Sequence, residues 1–272
     1  MKQFIKIILF FFLAGIAVSC TEIIHLDINS SDPQLVVEAQ IGEGEPAVIN
    51  LTKSVNLDDE DDFPIVSGAI ITLSDASGNT ENLEEIIPGK YVSISMRGRA
   101  GETYHIDIEV EDKSVTASCD CPDRVNFDSM KVVNSVYPGG GDIPLYSGQS
   151  KAFYEITVAY QDPPEIDNFY RFEIYVNNSL YASSIYNDER YNGLSNENTI
   201  IIYNDSIKTG DKITVEMQCI SKEVYNYFNS MENSGMSSGN SSSPSNPYTN
   251  LVGTDLGYFS AYTVQRKDYI KP

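Results

Sequence analysis

The chain has 272 residues, 41% of them hydrophobic, and sets 39 Asp and Glu against 18 Lys and Arg for a formal net charge of −21. That length and apolar share exclude wholesale disorder, and at about 150 residues per domain they give one large domain or two small ones. The charge disfavours nucleic acid and anionic membrane surfaces as partners, because both repel a polyanion.

In chain order, the first feature is an address. Lys2 and Lys6 precede an apolar run of twelve residues, Ile7 to Val18, that ends in Ala17-Val18-Ser19 before Cys20. Such a run spans about 18 Å of helix, short of the roughly 30 Å hydrocarbon core, so residues 1–19 read as a signal peptide and not an anchor helix. A cysteine directly after small residues resembles the bacterial lipoprotein signal, which implies cleavage before Cys20 and acylation of its thiol, and so membrane attachment through lipid. The expected mature chain keeps 16 basic against 39 acidic residues, −23, so lipid alone has to hold it. Residues 20–33, with Asp27, Asp32 and Pro33, read as a polar tether, and His25 within it as a solvated linker residue.

From Gln34 the hydrophobic period is two. Leu35, Val37 and Ala39 alternate with Val36 and Glu38; Val48 to Thr52, Ala69 to Leu73 and Tyr91 to Met96 follow, with turns at Asp75 to Gly78 and Arg99 to Glu102. Tyr104, Ile106, Ile108 and Val110 share one face of a strand whose other face carries His105, Asp107 and Glu109. Val115 to Ser118 continues as the next strand. Short strands with frequent turn signals predict a β-sandwich over residues 34–121. Pro122 marks a junction, and the polar stretch Asn134 to Gly148 reads as a long loop.

Over residues 122–272 the alternation resumes in Tyr154 to Tyr160, Tyr170 to Val176, Ile200 to Tyr203, Ile213 to Cys219 and Tyr258 to Arg266. One helix is expected near residues 222–232, capped by Ser221, with Val224, Tyr225, Phe228 and Met231 on its apolar face. The fold class is therefore mainly β: two sandwich-like halves and one short helix. Asn233 to Asn250, rich in Ser, Asn, Gly and Pro, reads as an irregular loop.

A family likeness rests on the order of several segments. They are Cys20, Leu35-Val36-Val37-Glu38, Val66-Ser67-Gly68-Ala69, Pro88-Gly89-Lys90-Tyr91 and Ala100-Gly101-Glu102-Thr103-Tyr104. Asn168-Phe169-Tyr170-Arg171-Phe172, Asp188-Glu189-Arg190-Tyr191-Asn192-Gly193, Gly210-Asp211, Pro244-Ser245-Asn246-Pro247 and Leu256-Gly257-Tyr258-Phe259 complete the series. In that order the chain resembles the Bacteroidota outer-membrane lipoproteins grouped as domain of unknown function 4249. Residues 66–118 separately resemble a prealbumin-like or carboxypeptidase-regulatory-like sandwich. The chain departs from the family pattern at Gly253-Thr254-Asp255, where Gly-Gly-Ala is expected. The resemblance implies a lipid-anchored envelope protein on either face of the outer membrane, serving a TonB-dependent receptor in nutrient uptake. It carries over no catalytic residue and no cofactor.

The reactive side chains are few. Cys119 and Cys121 share a strand face and Cys219 lies far along the chain; an oxidising envelope favours a disulfide between Cys219 and one of the pair, since one Cys-x-Cys without a nearby histidine falls short of a zinc site. His105 beside Asp107 lacks a nucleophile elbow and reads as strand surface. Asp58, Asp59, Asp61 and Asp62 form, with Glu60, an acidic run that reads as a solvated loop and a weak calcium candidate without EF-hand spacing. Phe169, Tyr175, Tyr181 and Tyr186 read first as ordinary sheet packing, with stacking on sugars or on a partner protein as the functional alternative. A binding protein without catalysis is expected, the competing expectation being a free-standing glycan or peptide binder.

Overall fold

Alternating burial shapes most of the strands. In the computed structural model, which describes residues 32–56, 62–136, 152–190, 192–203, 207–234 and 246–272, the chain forms β1 (Leu35–Gly42), β2 (Pro46–Lys53), β3 (Ile70–Asp75), β4 (Thr80–Asn82), β5 (Glu84–Ile87), β6 (Lys90–Arg97), β7 (Thr103–Val110) and β8 (Lys113–Asp120). There follow β9 (Phe127–Val136), β10 (Ala152–Gln161), β11 (Phe169–Val176), β12 (Ser179–Asn187), β13 (Ser195–Ile202), β14 (Lys212–Ile220), helix α1 (Lys222–Ser234), β15 (Leu251–Val252) and β16 (Leu256–Ile270). The mainly β, sandwich-like class expected from the periodicity is what folds. The expected helix runs two residues longer, to Ser234.

Three sheets build two cores. An eight-stranded sheet runs β12-β11-β14-β16-β1-β2-β6-β5; a five-stranded sheet, β15-β8-β7-β3-β4, and a three-stranded sheet, β13-β10-β9, each lie over one half of it. The first core joins Val37, Ala39, Ile49 and Leu51 to Leu73, Ile106, Ile108 and Val115. The second joins Phe172, Ile174, Val215 and Met217 to Tyr154, Ile156, Val158 and Ile202. Each fully buried aliphatic or aromatic side chain contributes about 1.5–3 kcal/mol relative to exposure.

The two cores share one strand. From Val36↔Leu256 to Gly42↔Tyr262, β16 runs parallel to β1; from Cys219↔Thr263 to Lys212↔Ile270 it runs antiparallel to β14. Phe259, Ala261 and Tyr262 thus join the first core although they lie far beyond Pro122, and so do Ile220, Val224 and Leu251. The chain leaves the first sandwich after β8, builds the second, and returns to the first through α1, β15 and the opening half of β16. Residues Pro33–Pro272 form one compact unit.

Helix α1 starts where Ser221 caps it: the Val224 amide donates to Ser221 Oγ at 3.4 Å. Val224 points inward with no exposure, while Tyr225 packs on Phe169 with ring centroids 5.1 Å apart. Phe169 is an outward residue of β11, so the helix covers the outer face of the long sheet. No helix among the described residues is long and apolar enough to cross a membrane.

Candidate functional site

The outer face of the long sheet carries the side chains that alternation turns away from the cores. Glu38 and Gln40 of β1, Arg171, Glu173 and Tyr175 of β11, Gln218 of β14 and Tyr258 of β16 all project there. Helix α1 closes over part of this face with Tyr227, Phe228 and Met231, leaving a groove of about 330 Å³ between helix and sheet.

An ion pair forms its floor. Arg171 Nη2 lies 2.7 Å from Glu173 Oε1, with side chains only 11% and 9% exposed. Glu173 Oε2 also accepts from the Tyr175 hydroxyl at 2.7 Å and from Gln218 Nε2 at 3.1 Å. The guanidinium donates through Nε to Ser183 Oγ at 3.1 Å and sits 4.1 Å from the centroid of the Phe228 ring. Both buried charges, Arg171 and Glu173, are thus paired and hydrogen-bonded, the condition under which burial of charge is tolerated.

Aromatic rings form the wall. Tyr258 lies 4.8 Å from Tyr227 and 5.1 Å from Phe228, centroid to centroid, and Tyr227 and Phe228 meet edge to face at 5.1 Å. Burial pushes the Tyr258 and Tyr227 hydroxyls up from their ordinary range, so both stay protonated donors at any physiological pH. Further along the same face Arg266 bridges Glu216 Oε1 at 2.5 Å and Glu45 Oε1 at 2.7 Å, tying β16 to β14 and to the segment before β2.

The groove presents rings, a carboxylate, amides and a guanidinium, but no nucleophile with an adjacent base. Its chemistry is recognition of a ligand that offers both a flat apolar face and hydrogen-bonding groups. The sequence offers Phe169, Tyr175, Tyr181 and Tyr186 either as ordinary sheet packing or as exposed stacking residues. Tyr181 is 41% exposed, whereas Phe169 packs under α1, Tyr175 is held by Glu173 and Tyr186 stands edge-on to Phe172. Arg171, Tyr227 and Tyr258 went unremarked as site residues. The available signal was an outward strand face carrying two aromatics, Phe169 and Tyr175, opposite a helix with Tyr225, Tyr227 and Phe228.

The other residues singled out from sequence are dispersed. Cys20, Asp58, Asp59 and Asp61 lie outside the described residues, and Asp62 is exposed. His105 and Asp107 stand on the exposed face of β7, apart from the groove. Among the described residues, no three His, Cys, Asp or Glu side chains gather as a metal site.

Cys119, Cys121 and Cys219 are buried and unbridged. Cys119 and Cys121 line the first core and Cys219 the second. Cys119 Sγ accepts from the Ala261 amide at 3.2 Å and lies 3.7 Å from Ser221 Oγ, joining β8 to β16 and to the start of α1. Burial pushes the Cys119 thiol up to about 11 and the Cys121 thiol to about 12, and raises Cys219 as well. At pH 8 all three are expected to resist iodoacetamide in the native protein and to alkylate in urea, as read by mass spectrometry. Alkylation of any of them before unfolding contradicts this picture.

Comparison with known proteins returns a family and little else. No curated protein matches the chain. Among solved structures, a two-domain fibronectin type III segment of chicken tenascin aligns at 14% identity and a TM-score of 0.21, over 69% of this chain and 91% of that one. Pullulanase from Anoxybacillus sp. LM18-11, complexed with maltotriose, aligns at 14% identity and a TM-score of 0.21 over 66% of this chain, which spans only 24% of the enzyme. At that similarity neither carries any argument about function. The family model described as Domain of unknown function (DUF4249) matches residues 21–268. That match takes in both sandwiches, the helix and nearly all of the shared strand, and the chain belongs to the DUF4249 family.

Proposed function

We propose that this protein is a non-catalytic, lipid-anchored component of the cell envelope that binds a ligand in the groove beneath α1 on behalf of a TonB-dependent outer-membrane receptor in nutrient uptake. Cys20 is the lipid attachment point in this reading, and the acidic body stands off the anionic membrane surface while lipid holds it there. The observation that supports it is the groove itself, a concave site with a paired ionic floor and an aromatic wall, on a protein whose described residues present no catalytic constellation.

The test is co-purification. Tagged full-length protein, extracted from outer membranes in mild detergent, is expected to bring down a TonB-dependent receptor in near-equal amount. Recovery of the protein alone overturns the receptor role. The aromatic, carboxylate and amide lining also suits a free-standing glycan or peptide binder. That second reading predicts micromolar affinity for a soluble oligosaccharide or peptide with no receptor present.

A further inference from the structure

At one end of the second sandwich, two buried carboxylates take hydrogen bonds from residues two apart on one face, Asn168 and Tyr170. Asp162 follows β10 and is fully buried; Asp188 follows β12 and is 3% exposed. None of the ion pairs among the described residues involves either one. Asp162 takes the Tyr170 hydroxyl on Oδ1 and the Gly193 amide, at 2.9 Å, on Oδ2. Asp188 Oδ2 takes the Asn168 amide at 2.8 Å. These donors are neutral and leave each oxygen a second lone pair.

A third oxygen faces the same space. The register Phe169↔Asn187 sets Asn168 opposite Asp188 across the β11–β12 pair, and alternation turns both side chains to the face of Tyr170. The Tyr170 hydroxyl in turn reaches Asp162 in the facing layer. Asn168 is 4% exposed, yet among the described residues its Oδ1 is buried without a hydrogen-bond partner. An orphaned amide oxygen beside two carboxylates is an unfavourable arrangement for folding and a favourable one for a hard cation. Burial, together with the charges of Asp162 and Asp167, pushes the Asp188 carboxyl up, which reflects the same uncompensated charge.

We propose that Asp162, Asp188 and the Asn168 side-chain oxygen hold a divalent cation, calcium by donor chemistry, at this end of the second sandwich. All three donors are oxygens, and calcium accepts six to eight of them in loose geometry, with carbonyls and waters completing the shell. The cation pins together the segments that follow β10 and β12 and those that precede β11 and β13. Gly193 already holds two of them together, since a Cβ there would stand 2.7 Å from Pro164 Cβ. This inference is independent of the groove and of the receptor.

The experiment uses the full chain in detergent, stripped with chelator and dialysed. Calcium at about 10 mM is expected to raise the thermal midpoint by about 3 °C or more, as for an extracellular-type site saturated ten- to hundredfold. Terbium is expected to luminesce on excitation of tyrosine, since Tyr170 donates directly to Asp162. Asp162→Asn and Asp188→Asn should each abolish both signals. Asn168→Ala, which keeps the carboxylates, should weaken terbium binding about tenfold while the far-ultraviolet circular dichroism stays native. Replacing Asp58, Asp59, Asp61 and Asp62 together by Asn should leave both signals in place. The proposal is overturned if the unaltered chain gives neither signal, or if the signals survive the Asp162 and Asp188 substitutions.

Discussion

Gly257→Ala is expected to cost more than about 4 kcal/mol, a large part of the roughly 5–15 kcal/mol that keeps a typical domain folded. Gly257 has φ +111° and pairs with Val37 in the parallel β1–β16 ladder. A Cβ built there lies 1.9 Å from Val37 O, 2.6 Å from Val37 C and 2.8 Å from Val37 N. All three are backbone atoms, and Val37 itself is fully buried, so no side chain can swing away to relieve the overlap. The strand must separate from β1 locally, and because β16 carries both cores, the damage reaches both. Gly210→Ala is the control: its φ is +89°, but nothing lies within 4 Å of the added Cβ. That change should cost only the backbone strain of about 1–2 kcal/mol. Urea unfolding followed by circular dichroism separates the two cases, and equal shifts in the midpoint for both would refute the role assigned to Gly257.

The same strand shows where sequence reading reaches its limit. In β7 and β10 one face is core and the other solvent, so a period of two announces them. The first half of β16 is buried on both faces, by the five-stranded sheet inside and by α1 outside, so Gly257 to Thr263 loses its alternation; the second half alternates again. Nothing local in Leu256 to Ile270 says that the partner changes from β1 to β14 midway, because that depends on a pairing across more than 200 residues. The edge strands β9 and β12 were not anticipated, for a different reason. Their Ser, Asn and Tyr side chains are largely half-buried or exposed, which gives the periodicity little contrast. As for the sites, Arg171 and Glu173 look like the wet side of an amphipathic strand until α1 is laid across them. Asp162 and Asp188 carry no sequence signal of their burial, because burial at a sandwich end leaves no periodic trace.

Arg171→Ala is expected to destabilise the protein by about 2–3 kcal/mol, at or just below the low end for breaking a buried ion pair. Two effects act together. Glu173, 9% exposed, loses its only cation among the described residues but keeps the Tyr175 and Gln218 donors, which limits the loss. Phe228 loses the guanidinium 4.1 Å from its centroid, a contact worth about 0.5–2 kcal/mol depending on desolvation. The pair and the ring contact share one guanidinium, so these contributions do not add independently. Glu173→Gln should cost less, because the amide oxygen still accepts from Arg171 and the groove lets water reach the charge left behind. Measured against Arg171→Met and Glu173→Gln made singly, combining the two should recover much of the loss, giving a coupling of about 2 kcal/mol, since no charge is then left buried and the Met side chain fills the space under Phe228. Amide exchange adds the local readout: in Arg171→Ala the amides of α1 from Tyr227 onward should exchange faster than in the parent, while those of β7 are unchanged. A change below about 0.5 kcal/mol with unaltered exchange in α1, the range of an ordinary surface substitution, would mean that the helix is held by its aromatic contacts alone and that the ionic floor of the groove has no structural part.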